Sequence, residues 1–339
     1  MRICQMKHMT LFTLVLVLSG MVRAQTPDWV AGKSGTYPDQ YYITGVGSGD
    51  TRNEAENQAR AQIAQVFRIQ LNARFSTNKT ETLRGTKGEG ESLDVTRSRV
   101  DVGTTKTLEG SEIADVWQDP QTMEYYALAV LDKEKASSRL AGQIAALDSE
   151  LVDLTREADT AATKLGKLRL LASIAGTAAR RRDLNSDYSI LSGSGQGIPL
   201  TGVSADEASS RLSNYCSSQI TFDLSADGAD SRGAAQVVSD ALTEHGFKLN
   251  VSNDTLADLS VHLSSHLEPS GTPVGGWYYC RWNVAIRLID NSRGNIIVSV
   301  SRSGRSGQLT VERAKERAQY DLDHAVKALA GDMLKKLLE

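Results

Sequence analysis

The stretch "YYITGVGSGDTRNEAENQARAQIAQ", Tyr41 to Gln65, decides how the first part of this chain folds. Tyr41, Tyr42 and Ile43 read as a short strand. Gly45, Gly47 and Gly49 crowd what reads as one turn, and a helix rich in Ala and Gln follows. Strand, glycine turn and helix are the outline of a phosphate-binding loop. The match stops there, because Gly45-x-Gly47-x-x-Asp50 lacks the third glycine of the dinucleotide fingerprint and no Gly-Lys-Ser/Thr is present. The expectation is a structural turn made by Gly45, Gly47, Gly49 and Asp50, with no cofactor. The glycines supply positive φ, Asp50 or Thr51 caps the helix, and Glu54 stands in the capping-box position relative to Thr51.

Upstream, Arg2, Lys7 and His8 precede an apolar run from Leu11 to Leu18, and Val22-Arg23-Ala24 fits a small-x-small cleavage site. Residues 1–24 therefore read as a cleaved export signal, its apolar core too short for a permanent span. Cys4 precedes that core, so it is not placed as a lipid-accepting cysteine, and no direct lipid anchor is expected. The chain carries a net charge of −3; residues 1–24 hold Arg2, Lys7 and Arg23 and no acid, so the remainder stands at −6. That balance argues against a nucleic-acid partner. Cys216 and Cys280 are the two cysteines left, and in an oxidising compartment a lone pair is expected to form a disulfide.

Three textures follow the signal. Over residues 26–132, Ala55, Ala59, Ile63 and Val66 share a helical face. Ile69, Leu71, Ala73 and Phe75 then alternate as a strand that runs to about Leu83. Arg84–Ser92 reads as a glycine-rich turn, and Leu93–Gly110 as a Thr- and Val-rich return strand. Ile113–Trp117 and Tyr125–Leu131 read as strands on either side of the turn at Asp119-Pro120-Gln121. This is a small α+β domain with one helix on an antiparallel sheet.

Residues 133–190 are helical. Leu140, Ile144, Leu147, Leu151, Leu154, Ala158, Ala161, Leu165 and Leu168 alternate spacings of four and three, a run of heptad a and d positions. Two readings stand: a long helix forming a homodimeric coiled coil, or a hairpin folded back near Asp159–Thr163. The run Arg180–Arg182 near the helix end suits the negative end of the helix dipole. A Gly/Ser linker at 191–202 precedes a second α+β domain at 203–339, read as an antiparallel sheet with helices on one face. Its strands are Ile220–Leu224, Phe247–Val251, Leu259–Leu267, Trp277–Ile289 and Asn295–Ser303. Its helices are Ser231–His245 and Val311–Leu338, the latter striped by Ala314, Ala318, Leu322, Ala325, Leu329, Met333 and Leu337.

Candidate chemistry is sparse. His262 and His266 lie four apart, but "LSVHLSSHLE" alternates as a strand, with no cysteine or carboxylate cluster to complete a metal site. No Gly-x-Ser-x-Gly appears. The aromatic run "GWYYCRW" (Gly276–Trp282) offers either a glycan-binding surface or a core strand tied down by Cys280.

"PDWV" (Pro27–Val30), "YYITGVGSGD" (Tyr41–Asp50), the Ala-studded helix Asn53–Ala73 and "YYALAVLDKEKA" (Tyr125–Ala136) together resemble the LPP20 (LPP-twenty) lipoprotein family of Gram-negative cell envelopes, over about residues 27–136. A similar small domain opens the periplasmic flagellar assembly protein T. The resemblance implies an architectural glycine turn and brings no catalytic residue with it. The family's lipid-accepting cysteine is missing here, so membrane anchoring does not carry over. The strand and helix order after residue 203 is similar to periplasmic domains of curli-secretion and penicillin-binding-protein-activator lipoproteins. The expected function is that of a non-enzymatic periplasmic accessory or scaffold protein that contacts cell-envelope proteins, with outer-membrane association only through a partner. An exported small-molecule or glycan-binding protein is the alternative, and an exported hydrolase the second.

Overall fold

The computed structural model describes residues 26–82, 110–228, 231–250 and 256–339. The signal expected over residues 1–24, the turn expected at Arg84–Ser92 and nearly all of the return strand expected after it lie outside the described residues. The chain divides into two compact units, Met1–Arg68 with Leu108–Asp132, and Ile69–Thr107 with Lys133–Glu339.

The first unit is a three-stranded antiparallel sheet in the order β1-β3-β2, from β1 (Tyr42–Gly49), β2 (Ser111–Gln118) and β3 (Tyr125–Asp132). Register puts Ile43 opposite Leu131, Gly45 opposite Ala129 and Gly47 opposite Ala127. Paired residues share a face, so the patch of Gly45, Gly47, Ala127 and Ala129 on one side of this sheet carries nothing larger than a methyl group. Helix α1 (Arg52–Thr82) packs there through Ala55, Ala59, Ile63 and Phe67, all essentially inaccessible to solvent. A Cβ on Gly47 would run into the Ala55 carbonyl and the Ala59 amide, and one on Gly45 into the Ala59 carbonyl. Backbone therefore meets backbone, and only glycine permits it. The other face is closed by Trp29, from the short 3-10 helix Asp28–Ala31, packed on Leu128 and Val130. Its indole N–H donates to Asp115 Oδ2 at 3.0 Å.

Two expectations change here. Gly45 and Gly47 lie inside β1 rather than in a turn, and neither they nor Gly49 takes a positive φ. Residues 69–82 continue α1 instead of forming a strand. No Gly or Pro interrupts Thr51 to Arg84, and once a helix is nucleated each further residue gains a hydrogen bond for one fixed backbone position. A four-residue alternation does not outweigh that. The cap itself is as expected: Thr51 Oγ1 accepts from the Glu54 N–H at 3.3 Å.

The second unit opens with two helices, α2 (Lys133–Asp159) and α3 (Lys164–Leu191), which fold back on each other across residues 160–163. Thr163 caps α3, accepting from the Gly166 N–H. Leu151, Ala158, Leu171, Ile174 and Ala178 join Ala205 and Ala208 of α4 (Ala205–Gln219) in one core, so the heptad stripe is used inside the chain. A five-stranded sheet follows in the order β5-β4-β6-β7-β8, built from β4 (Thr221–Asp227), β5 (Lys248–Leu249), β6 (Leu259–Pro269), β7 (Tyr278–Asp290) and β8 (Asn295–Gln308). Helices α5 (Ser231–Glu244) and α6 (Val311–Leu338) cover one face, and the whole stripe read on α6 is buried.

This sheet is mixed, not antiparallel. β4 pairs parallel with both β5 and β6, while β6, β7 and β8 form an antiparallel meander. A strand–helix–strand run such as β4–α5–β5 brings its strands together in parallel. The C-terminal sheet and the helical hairpin also share one core, in which Leu168 of α3 and Cys216 of α4 pack with the sheet residues.

Candidate functional site

A phosphate loop needs main-chain N–H groups aimed into open space at a helix start. In β1 that space is filled by α1, and the Thr51 side chain takes up the Glu54 amide. Gly45, Gly47, Gly49 and Asp50 therefore form a packing surface and a helix entry.

Cys216 and Cys280 do not form the expected disulfide. Register explains why. β4 begins five residues after Cys216, and Phe222 stands level with Leu259 and Asp290. Cys280 lies ten residues along β7 from Asp290, roughly 30 Å from that level at strand rise. Burial pushes the Cys216 thiol up to about 11. His262 and His266 share the exposed face of β6. Among the described residues no group of three or more His, Cys, Asp or Glu gathers to hold a metal.

One pair on that face has the distance of a nucleophile and its base: Ser225 Oγ and His262 Nδ1 are 2.6 Å apart. It sits on the open ladder of β4 and β6, with Arg287 opposite His262. Acyl transfer also needs donors placed around a developing oxyanion in a water-poor cleft, and both residues here face solvent. The aromatic run divides by strand alternation. Trp282 is 9% exposed and lies over Gly304 of β8, its cross-strand partner, while Trp277 is 45% exposed outside the strand. Trp282 thus belongs to the core, and the run does not present three rings to one ligand.

The arginine run does not sit at a helix end, because α3 continues to Leu191. Arg181 is buried; its guanidinium donates to Asp148 Oδ1 at 2.9 Å and to the Pro199 carbonyl at 3.0 Å. Asn185 exchanges two hydrogen bonds with the Ile198 backbone. These contacts pin the Gly/Ser segment to the hairpin, so it is not a free linker. Arg180 approaches Glu150 at 3.6 Å, and Arg182 approaches Asp183 at 3.4 Å. Further along α3, Asp187 is buried, and burial together with the charge of Asp183 raises its carboxyl to about 7.

A second polar staple was invisible in the sequence because its members are remote. Asp258 accepts from Lys164 Nζ at 2.8 Å and from the Thr221 N–H and hydroxyl, both at 3.0 Å. Burial would raise the Asp258 carboxyl, but these bonds outweigh it and hold it below the usual carboxylate range. Arg169 Nε donates to the Leu337 carbonyl at 3.0 Å, joining α3 to the end of α6.

Among the described residues an open cleft of about 840 Å³ lies between β4 and α5, lined by Leu224, Ala226, Gly228, Arg232, Ala235 and Ser239. The Asn250 N–H donates to the Phe222 carbonyl at 2.7 Å, so Phe222, and by alternation Leu224 and Ala226, direct their main-chain groups towards the β5 side. Among the described residues β5 pairs with β4 at Thr221 and Phe222, and residues 251–255 lie outside the described residues.

Residues 27–132 match the family model of the LPP20 lipoprotein, to which this segment is similar. Among solved structures, the chain is similar to the secreted protein HP1454 from Helicobacter pylori, with 14% identity, 85% of this chain and 97% of that one covered, and a TM-score of 0.45. It is also similar to a minor lipoprotein from Acinetobacter baumannii (17% identity, 35% and 91% covered, TM-score 0.24). A putative lipoprotein from Caulobacter crescentus stands alike (18% identity, 38% and 91% covered, TM-score 0.25). A comparison with curated proteins found no match.

Proposed function

We propose that this chain is an exported, non-enzymatic accessory protein of the cell envelope, held in the periplasm, that acts through contacts with other envelope proteins. The observation that carries this reading is the filling of the glycine-lined strand. The stretch most like a ligand loop is occupied by the backbone of α1, and it lies within the segment that matches the LPP20 model. The Trp282 ring and the Cys216 thiol, which could have served ligand or redox chemistry, are likewise spent on packing. The test is cross-linking in intact cells followed by purification of the tagged chain. Recovery of a reproducible envelope protein supports the reading; turnover of a substrate by the purified chain, with no cross-linked partner, overturns it.

A further inference from the structure

We infer that the tip of the β6–β7 hairpin, with Val274, Trp277 and Leu309, is a wedge that seats this chain directly on the surface of a phospholipid bilayer. This goes beyond the accessory-protein reading and rests on it only for the envelope location, where such a surface is at hand.

Three observations converge. First, the tip holds apolar side chains out in water. Val274 and Trp277 exchange both main-chain hydrogen bonds, at 2.8 and 3.2 Å, across Gly275 and Gly276. The φ values of those glycines, 60° and 82°, belong to a tight two-residue hairpin turn. Residues paired in this way point their side chains to one side of the ladder. Leu309 follows the Gln308 that pairs with Tyr278, so it stands at the same end of the sheet. Val274 is 65% exposed, Trp277 45% and Leu309 61%. Second, polarity rises in one direction away from the tip. Pro269 to Cys280 include no charged residue, Tyr278 and Tyr279 follow Trp277, and Arg281 comes next. Arg281 faces Arg305 across the ladder, each four residues back from Trp277 or Leu309, about 13 Å at strand rise. Acyl chains, an interface that favours Trp and Tyr, and then phosphates are the order a bilayer presents. Long arginine stems reach towards that last layer. A protein pocket for one ring would not call for the same order on two strands. Third, like charges directly opposite each other on a ladder are destabilising. No ion pair engages Arg281 or Arg305 among the described residues. Arg305 lies over the Tyr279 ring, 3.8 Å from its centre, and a Cβ on Gly307 would run into that ring. A phosphate between the two guanidiniums relieves their repulsion. Glu268 stands across from Arg281, and Glu312 and Arg313 open α6, so the collar is only weakly cationic. Insertion of the tip, rather than attraction at a distance, therefore carries the binding.

The test is flotation of the purified full chain with vesicles of phosphatidylethanolamine and phosphatidylglycerol. The parent should float with the vesicles, and brominated acyl chains should quench part of its tryptophan emission. Trp277→Ala and Val274→Asp change exposed side chains only, so their melting temperatures should match the parent's. Each should lower the partition coefficient at least about tenfold, and Trp277→Ala should also remove the quenching. Arg281→Glu combined with Arg305→Glu should lower it as well. The apolar run Leu11–Leu18 would itself bind vesicles if retained, so the result is read from these differences. No flotation of the parent, or equal partitioning of the parent and both tip variants, overturns the wedge. A photo-cross-linker at position 277 that captures protein and no lipid in intact cells overturns it too. The two ideas fail separately. A chain that floats through Trp277 but cross-links to no envelope protein keeps the wedge and loses the accessory role. One that cross-links to such a protein and ignores vesicles does the reverse.

Discussion

The two units solve the same problem, a helix laid on a sheet, with opposite materials. In the first, Gly45, Gly47, Ala127 and Ala129 bring α1 down until main chain touches main chain. In the second, the sheet face under α5 and α6 is built from Phe222, Leu263, Trp282, Ile286 and Leu288, and the helices stand off on large side chains. Large side chains interdigitate and can repack when one is altered. A patch of bare backbone has nothing to repack. The first unit is therefore specified by what is missing from its side chains, the second by what is present. The second also carries polar staples between remote elements, the buried Arg181 with Asp148 and the more exposed Lys164 with Asp258, and the first has the indole bond of Trp29 to Asp115.

The sharpest way to break this contrast is Gly47→Val. The added atoms would collide with the α1 backbone at Ala55 and Ala59, so a loss of roughly 3 kcal/mol or more is expected in denaturant unfolding. A loss under about 1 kcal/mol would mean the helix can lift away at little cost, as in an ordinary core.

Asp187→Asn probes the second unit through pH. The folded carboxyl titrates near 7, above the 3.8 of an unperturbed aspartate, because burial and Asp183 disfavour its charge. The neutral form's stabilisation is complete below about pH 4 and lost as pH rises through 7. The variant should gain on the order of 2–4 kcal/mol over the parent at pH 8, with the two stabilities converging near pH 4. Equal offsets at both pH values would show that Asp187 is solvated.

Asp148→Ala leaves the buried Arg181 guanidinium with only the Ile198 and Pro199 carbonyls. Asp148 is partly exposed, so the expected cost is about 2 kcal/mol, below the range for a fully buried pair. It should be accompanied by faster amide exchange over residues 192–202. Gly142→Ala, in the exposed middle of α2 with open space around it, should instead stabilise by up to about 1 kcal/mol. The same methyl group thus changes sign with its surroundings. Smallest of all, a reductant should leave the melting temperature unchanged, because Cys216 and Cys280 are not joined. A drop would restore the disulfide.

Local patterns carried much of this fold into the sequence. The α6 stripe, the alternation of β6 and β7, and the Thr51 cap could all be read because each concerns residues within a few positions of one another. The four motif pieces of the first unit were also visible, although their fit was not. That Gly45 faces Ala129 and Trp29 reaches Asp115 depends on pairings that no periodicity reports. The cysteines misled for the same reason, since sharing a domain says nothing about which end of a sheet each occupies. The arginine run was legible as a feature and misplaced because the end of α3 carries no Gly or Pro before Ser192.

The pairing of β1 with β3 also has a kinetic side. Tyr42 meets Asp132 and Gly49 meets Tyr125, contacts separated by about 80 residues of chain, which makes closure of this sheet slow in entropic terms. β2 and β3, joined by a short turn, can zip together early, and so can the hairpin of α2 and α3. β1 must wait. If the chain emerges from its N-terminus first, its glycine-bearing strand is made early and docked late, and the central strand that it needs is the last part of its sheet to arrive.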